Sequence, residues 1–174
     1  KQRQVSDLEG VLAWLKAFCP EAQGYAKWLI YFMILLGDYS MDDMKDVLIR
    51  FSFSRHDCNK MISSRLEYEV VKRLDIQMLK PSQIYKVLKS VSLEELVFFL
   101  IKTQGAPPEE CIKQFLTDYR HLRLFVKGGD LMKRGITDGK KMGVILEWLL
   151  EKKIDAKAMT KEKELQLLDQ IDLD

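Results

Sequence analysis

Lys127-Gly-Gly-Asp-Leu-Met-Lys-Arg-Gly-Ile-Thr-Asp-Gly-Lys-Lys-Met-Gly143 reads as a short helix around Leu131, a glycine turn and the opening of a longer helix. Five of the chain's nine glycines, Gly128, Gly129, Gly135, Gly139 and Gly143, fall in this window. Five basic residues share it: Lys127, Lys133, Arg134, Lys140 and Lys141. Glycine belongs where φ is positive or where another backbone comes close. A glycine turn that opens a helix offers free N–H groups and a positive dipole end to an anion. With cations beside it, the expected anion is a phosphate.

Outward from this window the chain is glycine-poor and carries helix signals throughout. Ser6 with Glu9 predicts a capping box ahead of Val11, Leu12, Trp14 and Leu15. Pro20 predicts the start of the next helix and Gly37 its end. Ser40 with Asp43 predicts a cap for a third helix toward Phe51, and Arg55 to Leu74 reads as a long helix with Met61, Ile62, Leu66, Val70 and Leu74 on one face. Lys80-Pro81-Ser82 opens a helix bearing Ile84, Val87 and Leu88, and Ser92 with Glu95 caps the apolar run Leu96 to Ile101. Past the break Gly105-Ala-Pro-Pro108, a helix is expected through Ile112, Phe115, Leu116, Tyr119, Leu122 and Val126. Gly139 to Lys152 and a helix opened by Thr160 complete the series. No strand alternation persists. The expected fold is therefore all-α, with about nine or ten helices. A body over 1–104 and a smaller tail over 105–174 are the expected divisions.

The apolar fraction is 47% and the net charge only +2, but charge is unevenly placed. Residues 45–90 and 113–141 each carry a balance of +5, and the segments around them are acidic. Two basic faces follow, unless these are simply solvated helix surfaces. Cys19, Cys58 and Cys111 are widely spaced, as free thiols in a reducing, cytoplasmic setting would be. The apolar run Trp28 to Leu36 falls well short of the roughly 20 residues that span a bilayer. The chain begins at Lys1 with no leader pattern, as a portion of a longer protein would.

Catalytic and metal chemistry find no footing. His56, Asp57 and Cys58 are adjacent, so a helix points them to different faces, and the other histidine is His121. Walker, dinucleotide-binding and zinc-protease patterns are missing. No metal ligands are expected. Acidic pairs such as Glu94-Glu95 stand in first turns, where they complement helix dipoles. Trp14, Trp28, Tyr31, Phe32, Phe98, Phe99 and Trp148 lie on apolar stripes and read as core. Phe51 and Phe53 sit between Arg50 and Arg55, either anchoring a loop or offering stacking surfaces. Arg120, Arg123 and Lys127 follow helical spacing and would form a basic strip leading into the glycine turn.

The turn has two physical readings. Leu131 to Gly143 is somewhat similar to a helix-hairpin-helix, in which backbone N–H groups face a phosphate backbone; Asp138 would compete for those donors. Alternatively, Gly143 permits a tight helix crossing.

Gly129-Asp-Leu-Met-Lys-Arg-Gly-Ile-Thr-Asp-Gly-Lys-Lys-Met-Gly-Val-Ile-Leu146 resembles the C-terminal signature of the tRNA nucleotidyltransferase and poly(A) polymerase family, with Gly128, Asp130 and Leu131 in its opening positions. Ser82 to Leu88 followed by Ser92 to Leu96 is similar to the body segment of bacterial CCA-adding or A-adding enzymes, and Thr160 to Leu165 to the family's final helix. The resemblance spans about residues 45–170 and implies a helical body and tail that hold tRNA. The family's reaction uses Mg²⁺ and CTP or ATP on an N-terminal head. Its Asp-x-Asp strand and base-selecting Glu-Asp-x-x-Arg have no counterpart here; Asp172-Leu-Asp174 alone has the first spacing, at the chain's end. No catalytic residue is therefore carried over. The phosphate-contacting candidates are Arg120, Arg123, Lys127, Lys133, Arg134, Lys140 and Lys141, with Arg50, Arg55 and Lys60 as a second patch. The rival reading is a protein-interaction or homodimerising module without RNA.

Overall fold

The computed structural model describes residues 2–75, 77–157 and 159–170, with side chains from residue 7 onward. The elements are all helical: α1 Gln2–Phe18, α2 Lys27–Leu36, α3 Met41–Arg50, α4 Arg55–Val71, α5 Pro81–Leu88, α6 Leu93–Lys102, α7 Pro107–Gln114, a π turn Phe115–Tyr119, α8 Gly128–Met132, α9 Gly139–Asp155 and α10 Lys161–Asp169. No strand occurs among the described residues. The all-α expectation holds.

Helix α6 is the axis of the main core. Every residue from Leu93 to Ile101 is buried, and α1, α2, α4 and α7 pack around it. Past Glu95 the run Leu96 to Ile101 is apolar on all sides, which suits only such a place. Ser92 and Glu95 close its start reciprocally, each accepting the other's backbone N–H. A second, smaller core gathers Val126, Leu131, Ile136, Ile145, Leu149 and Leu168 under α8, α9 and α10. Helix α9 joins the two, because Ile154 at its far end belongs to the main core. Asp155 strengthens that joint by accepting from Ser82 N–H (2.9 Å) and Ser82 Oγ (3.0 Å) at the positive end of α5.

Several boundaries differ from the sequence reading. Helix α1 already runs at Gln2, so Ser6 lies within it rather than at its cap; the Ser6 side chain falls outside the described residues. Helix α2 starts at Lys27, not at Pro20, because Gly24 (φ +81°) turns the chain and Glu94 accepts the Ala26 N–H (3.0 Å). Leu66 and Val70 on α4 are 61% and 54% exposed, leaving the burial to Met61, Ser64 and Val71. Trp28 is 45% exposed rather than core. The helix through Phe115 ends early. In the π turn the Arg120 N–H donates to Phe115 O (2.8 Å), five residues back, and the helix goes no further. Leu122 and Val126 then lie on irregular chain, so Arg120, Arg123 and Lys127 share no helical face.

That irregular stretch is held by a buried ion pair. Lys153 Nζ, from α9, donates to Glu164 Oε1 of α10 (2.7 Å) and to Arg123 O (2.8 Å). Glu164 Oε2 accepts the N–H groups of Phe125 and Val126 (2.9 Å each). The Lys153 ammonium also lies 3.9 Å from the centre of the Phe125 ring. Glu164 is fully buried and Lys153 only 5% exposed. Breaking such a pair leaves an uncompensated charge in the interior. Lys153→Met should lose about 3–5 kcal/mol in urea unfolding. Glu164→Gln, which keeps an acceptor for the two N–H groups, should lose less than Glu164→Leu, which orphans them.

Candidate nucleic-acid interface

The segment pinned by Lys153 and Glu164 forms one wall of a cleft of about 880 Å³. Helix α5 supplies Tyr85, Lys86 and Lys89; the 120–128 segment supplies Arg120, His121, Leu122, Arg123, Leu124, Val126, Lys127 and Gly128; α9 supplies Leu146, Glu147, Leu150 and Glu151. Two ion pairs cross it, Lys86 to Glu151 (2.7 Å) and Lys89 to Glu147 (2.5 Å). The Lys89 hydrogen bond holds Glu147 below the usual carboxylate range, and the same bond raises Lys89. Both are therefore ionised at neutral pH. Five permanent cations and two carboxylates line the cleft, so it is electropositive. Arg123 donates to the carbonyls of Arg120 (3.0 Å) and Leu122 (2.8 Å), and His121 pairs with Glu21 (3.1 Å). Lys86 and Lys89 are absent from the sequence-derived candidates. Their only trace was the i, i+4 pair Glu147 and Glu151, one helix face awaiting cations from elsewhere.

The glycine segment continues from the cleft. Asp130 Oδ2 accepts the Lys127 N–H (2.9 Å), which closes the start of α8 and lowers the Asp130 pKa. Gly135 (φ +84°) makes the turn, and Ile136 then drops into the second core. Asp138 caps α9 by accepting the Lys140 N–H (2.8 Å). That cap satisfies a donor a phosphate would otherwise take, so any anion here is met chiefly by side chains. Lys133, Lys140 and Lys141 are exposed. Arg134 is committed to α10, donating to Leu165 O (3.3 Å) and pairing with Asp169 (2.8 Å). With Gly135, Ile136, Thr137, Asp138 and Lys141 it borders a shallow depression of about 260 Å³.

The glycines themselves are the telling part. Of the five, only Gly135 has a positive φ. A Cβ at Gly129, Gly139 or Gly143 would meet nothing within 4 Å, and at Gly128 only Met142 Sδ at 3.9 Å. The tight crossing that Gly143 would permit therefore has no counterpart among the described residues. Neither the backbone conformation nor a contact among the described residues calls for glycine at these four positions, three of them on exposed surface.

The body patch is differently placed. Arg50 and Arg55 are exposed, but Lys60 is tied to Glu94 (2.9 Å). Phe53 anchors the turn by stacking on Trp28 (5.8 Å) and meeting Phe32 edge-on (4.9 Å), whereas Phe51 is 66% exposed. None of these residues lines the cleft. Among the described residues no group of His, Cys, Asp and Glu is placed to hold a metal, and no helix is long and apolar enough to cross a membrane.

Glu94 sets an acid limit. Burial pushes its pKa up, but the Ala26 N–H and the Lys60 ammonium outweigh that and leave it depressed. A depressed carboxylate contributes stability above its unfolded pKa and loses it as pH falls through the folded value. Unfolding free energy should therefore drop as the pH falls below the ordinary carboxylate range and through the folded value. Glu94→Gln should flatten that drop.

No family model matches the chain. An A-adding tRNA nucleotidyltransferase from Geobacter sulfurreducens is 25% identical over 146 residues, 80% of this chain and 17% of the relative. Among solved structures, the Thermotoga maritima CCA-adding enzyme complexed with tRNA-CCA superposes with a TM-score of 0.76 at 23% identity, over 96% of this chain and 40% of that one. An apo CCA-adding enzyme gives 0.71 at 24% identity, over 97% and 39%. The chain thus spans less than half of each protein it matches. In sequence the chain is similar to an A-adding tRNA nucleotidyltransferase, and in fold to CCA-adding enzymes.

Proposed function

We propose that this chain is the RNA-holding helical body and tail of a tRNA nucleotidyltransferase, positioning tRNA for nucleotide addition to its 3′ end. The chemistry, with its Mg²⁺ and CTP or ATP, belongs to a catalytic head outside these residues. The observation that carries the reading is the set of glycines facing open space beside exposed lysines. Glycine inside a helix costs about 1 kcal/mol relative to alanine. With no internal contact requiring them, Gly139 and Gly143 leave bare backbone where a polymer backbone can lie close. Lys133 and Lys140 stand beside that surface, and Arg120, Arg123 and Lys127 extend the positive edge along the cleft. An A-form helix is held in this way, through phosphates and 2′-hydroxyls, because its base edges are out of reach.

An interaction-module reading draws on a different surface. Leu35, Ile49 and Phe51 are 47%, 74% and 66% exposed on the body. Concentration-dependent light scattering with no tRNA affinity would favour it.

Binding of tRNA across a salt series tests the proposal. Lys133→Glu with Lys140→Glu should weaken binding and flatten the log–log salt slope by about 0.7–0.9 for each phosphate that is no longer neutralised. Gly143→Ala should raise thermal stability by about 0.5–1 kcal/mol while weakening tRNA binding. Unchanged affinity in both variants would reduce this face to plain surface.

A further inference from the structure

The cleft has features that a phosphate track leaves unexplained. Its volume, about 880 Å³, lies in the range of pockets that enclose small organic ligands. Part of its lining is apolar, with Tyr85, Leu122 and Leu150 contributed by three different elements. Beside these residues stand Arg120, Arg123 and Lys127. Glu147 and Glu151 are engaged with the α5 lysines, and among the described residues no carboxylate hydrogen-bonds to these three cations. Arg120 Nη1 is shut off from solvent and, among the described residues, has no hydrogen-bond partner. A buried charged donor left unmade is costly, and a ligand or a water that completes it removes that cost.

Phosphates on a duplex surface need cations but gain nothing from an apolar floor. A base freed from its stack has the opposite need, since its faces seek aromatic or aliphatic cover while its phosphate seeks charge. We propose that the cleft seats a single unstacked nucleotide, with its base against Tyr85, Leu122 and Leu150 and its phosphate toward Arg120, Arg123 and Lys127. The nucleotide is either a looped-out residue of a folded RNA or a free mononucleotide. The proposal rests on the RNA-holding function only for the choice between these two sources.

Three probes separate the cases: AMP, an RNA hairpin with one bulged 2-aminopurine nucleotide, and the same hairpin fully paired. The bulged hairpin should bind about tenfold more tightly than the paired one, with a change in 2-aminopurine emission. Leu122→Ala should shrink that preference, and Arg123→Gln with Lys127→Gln, both on exposed side chains, should abolish it. Saturable AMP binding lost in the same double variant supports a free nucleotide as the source. A preference for the bulged hairpin without AMP binding supports RNA. Equal binding of both hairpins, unchanged emission and no AMP binding overturn the nucleotide seat, while salt-dependent tRNA binding would keep the RNA-holding function alive. AMP binding without any RNA binding would do the reverse.

Discussion

The buried pair of Lys153 and Glu164 is the constraint on which the rest of the interface depends. It ties α9 to α10, and between them they hold a piece of chain with no regular structure of its own. Paired and hydrogen-bonded on all sides, the two charges avoid the desolvation cost that makes isolated buried ions untenable. Their geometry fixes Arg123, Phe125 and Val126, and through them the cationic wall of the cleft and the entry into α8. A surface ion pair would contribute little here, because exposed pairs are worth about 0–1 kcal/mol. The pairs across the cleft, Lys86 with Glu151 and Lys89 with Glu147, are of that weaker kind, so an incoming anion can compete for their lysines at small cost.

A second constraint is a lack of side chains rather than a contact. Helices α8 and α9 open on glycines that little else in the chain approaches. Asp130 and Asp138 meanwhile close the helix starts, so these ends are already satisfied electrostatically. What remains exposed there is bare backbone flanked by lysine, and the proposed contact with a sugar–phosphate chain rests on that shape and charge.

Much of the fold was legible because local signals agreed with tertiary ones. Ser92 with Glu95, Ser40 with Asp43 and Pro81 mark helix starts that the structure keeps. The failures have physical causes. The π turn at Phe115–Tyr119 breaks a run whose apolar spacing suits an uninterrupted helix, and no local residue announces it. The buried role of Lys153 leaves no local mark, since its partners Glu164 and Arg123 O come from remote segments. Lys60 and Arg134 carry the right charge for a phosphate, but Glu94 and Asp169 engage them. Composition gives the number of cations on a face; only tertiary contact shows which of them are already spent.

Amide hydrogen exchange of the chain with and without tRNA tests the central claim most directly. The account predicts slowed exchange across 123–128 and 139–144, with the 51–54 turn unchanged. Protection confined to the body around Trp28 and Phe51, or none in the glycine segment, would contradict it.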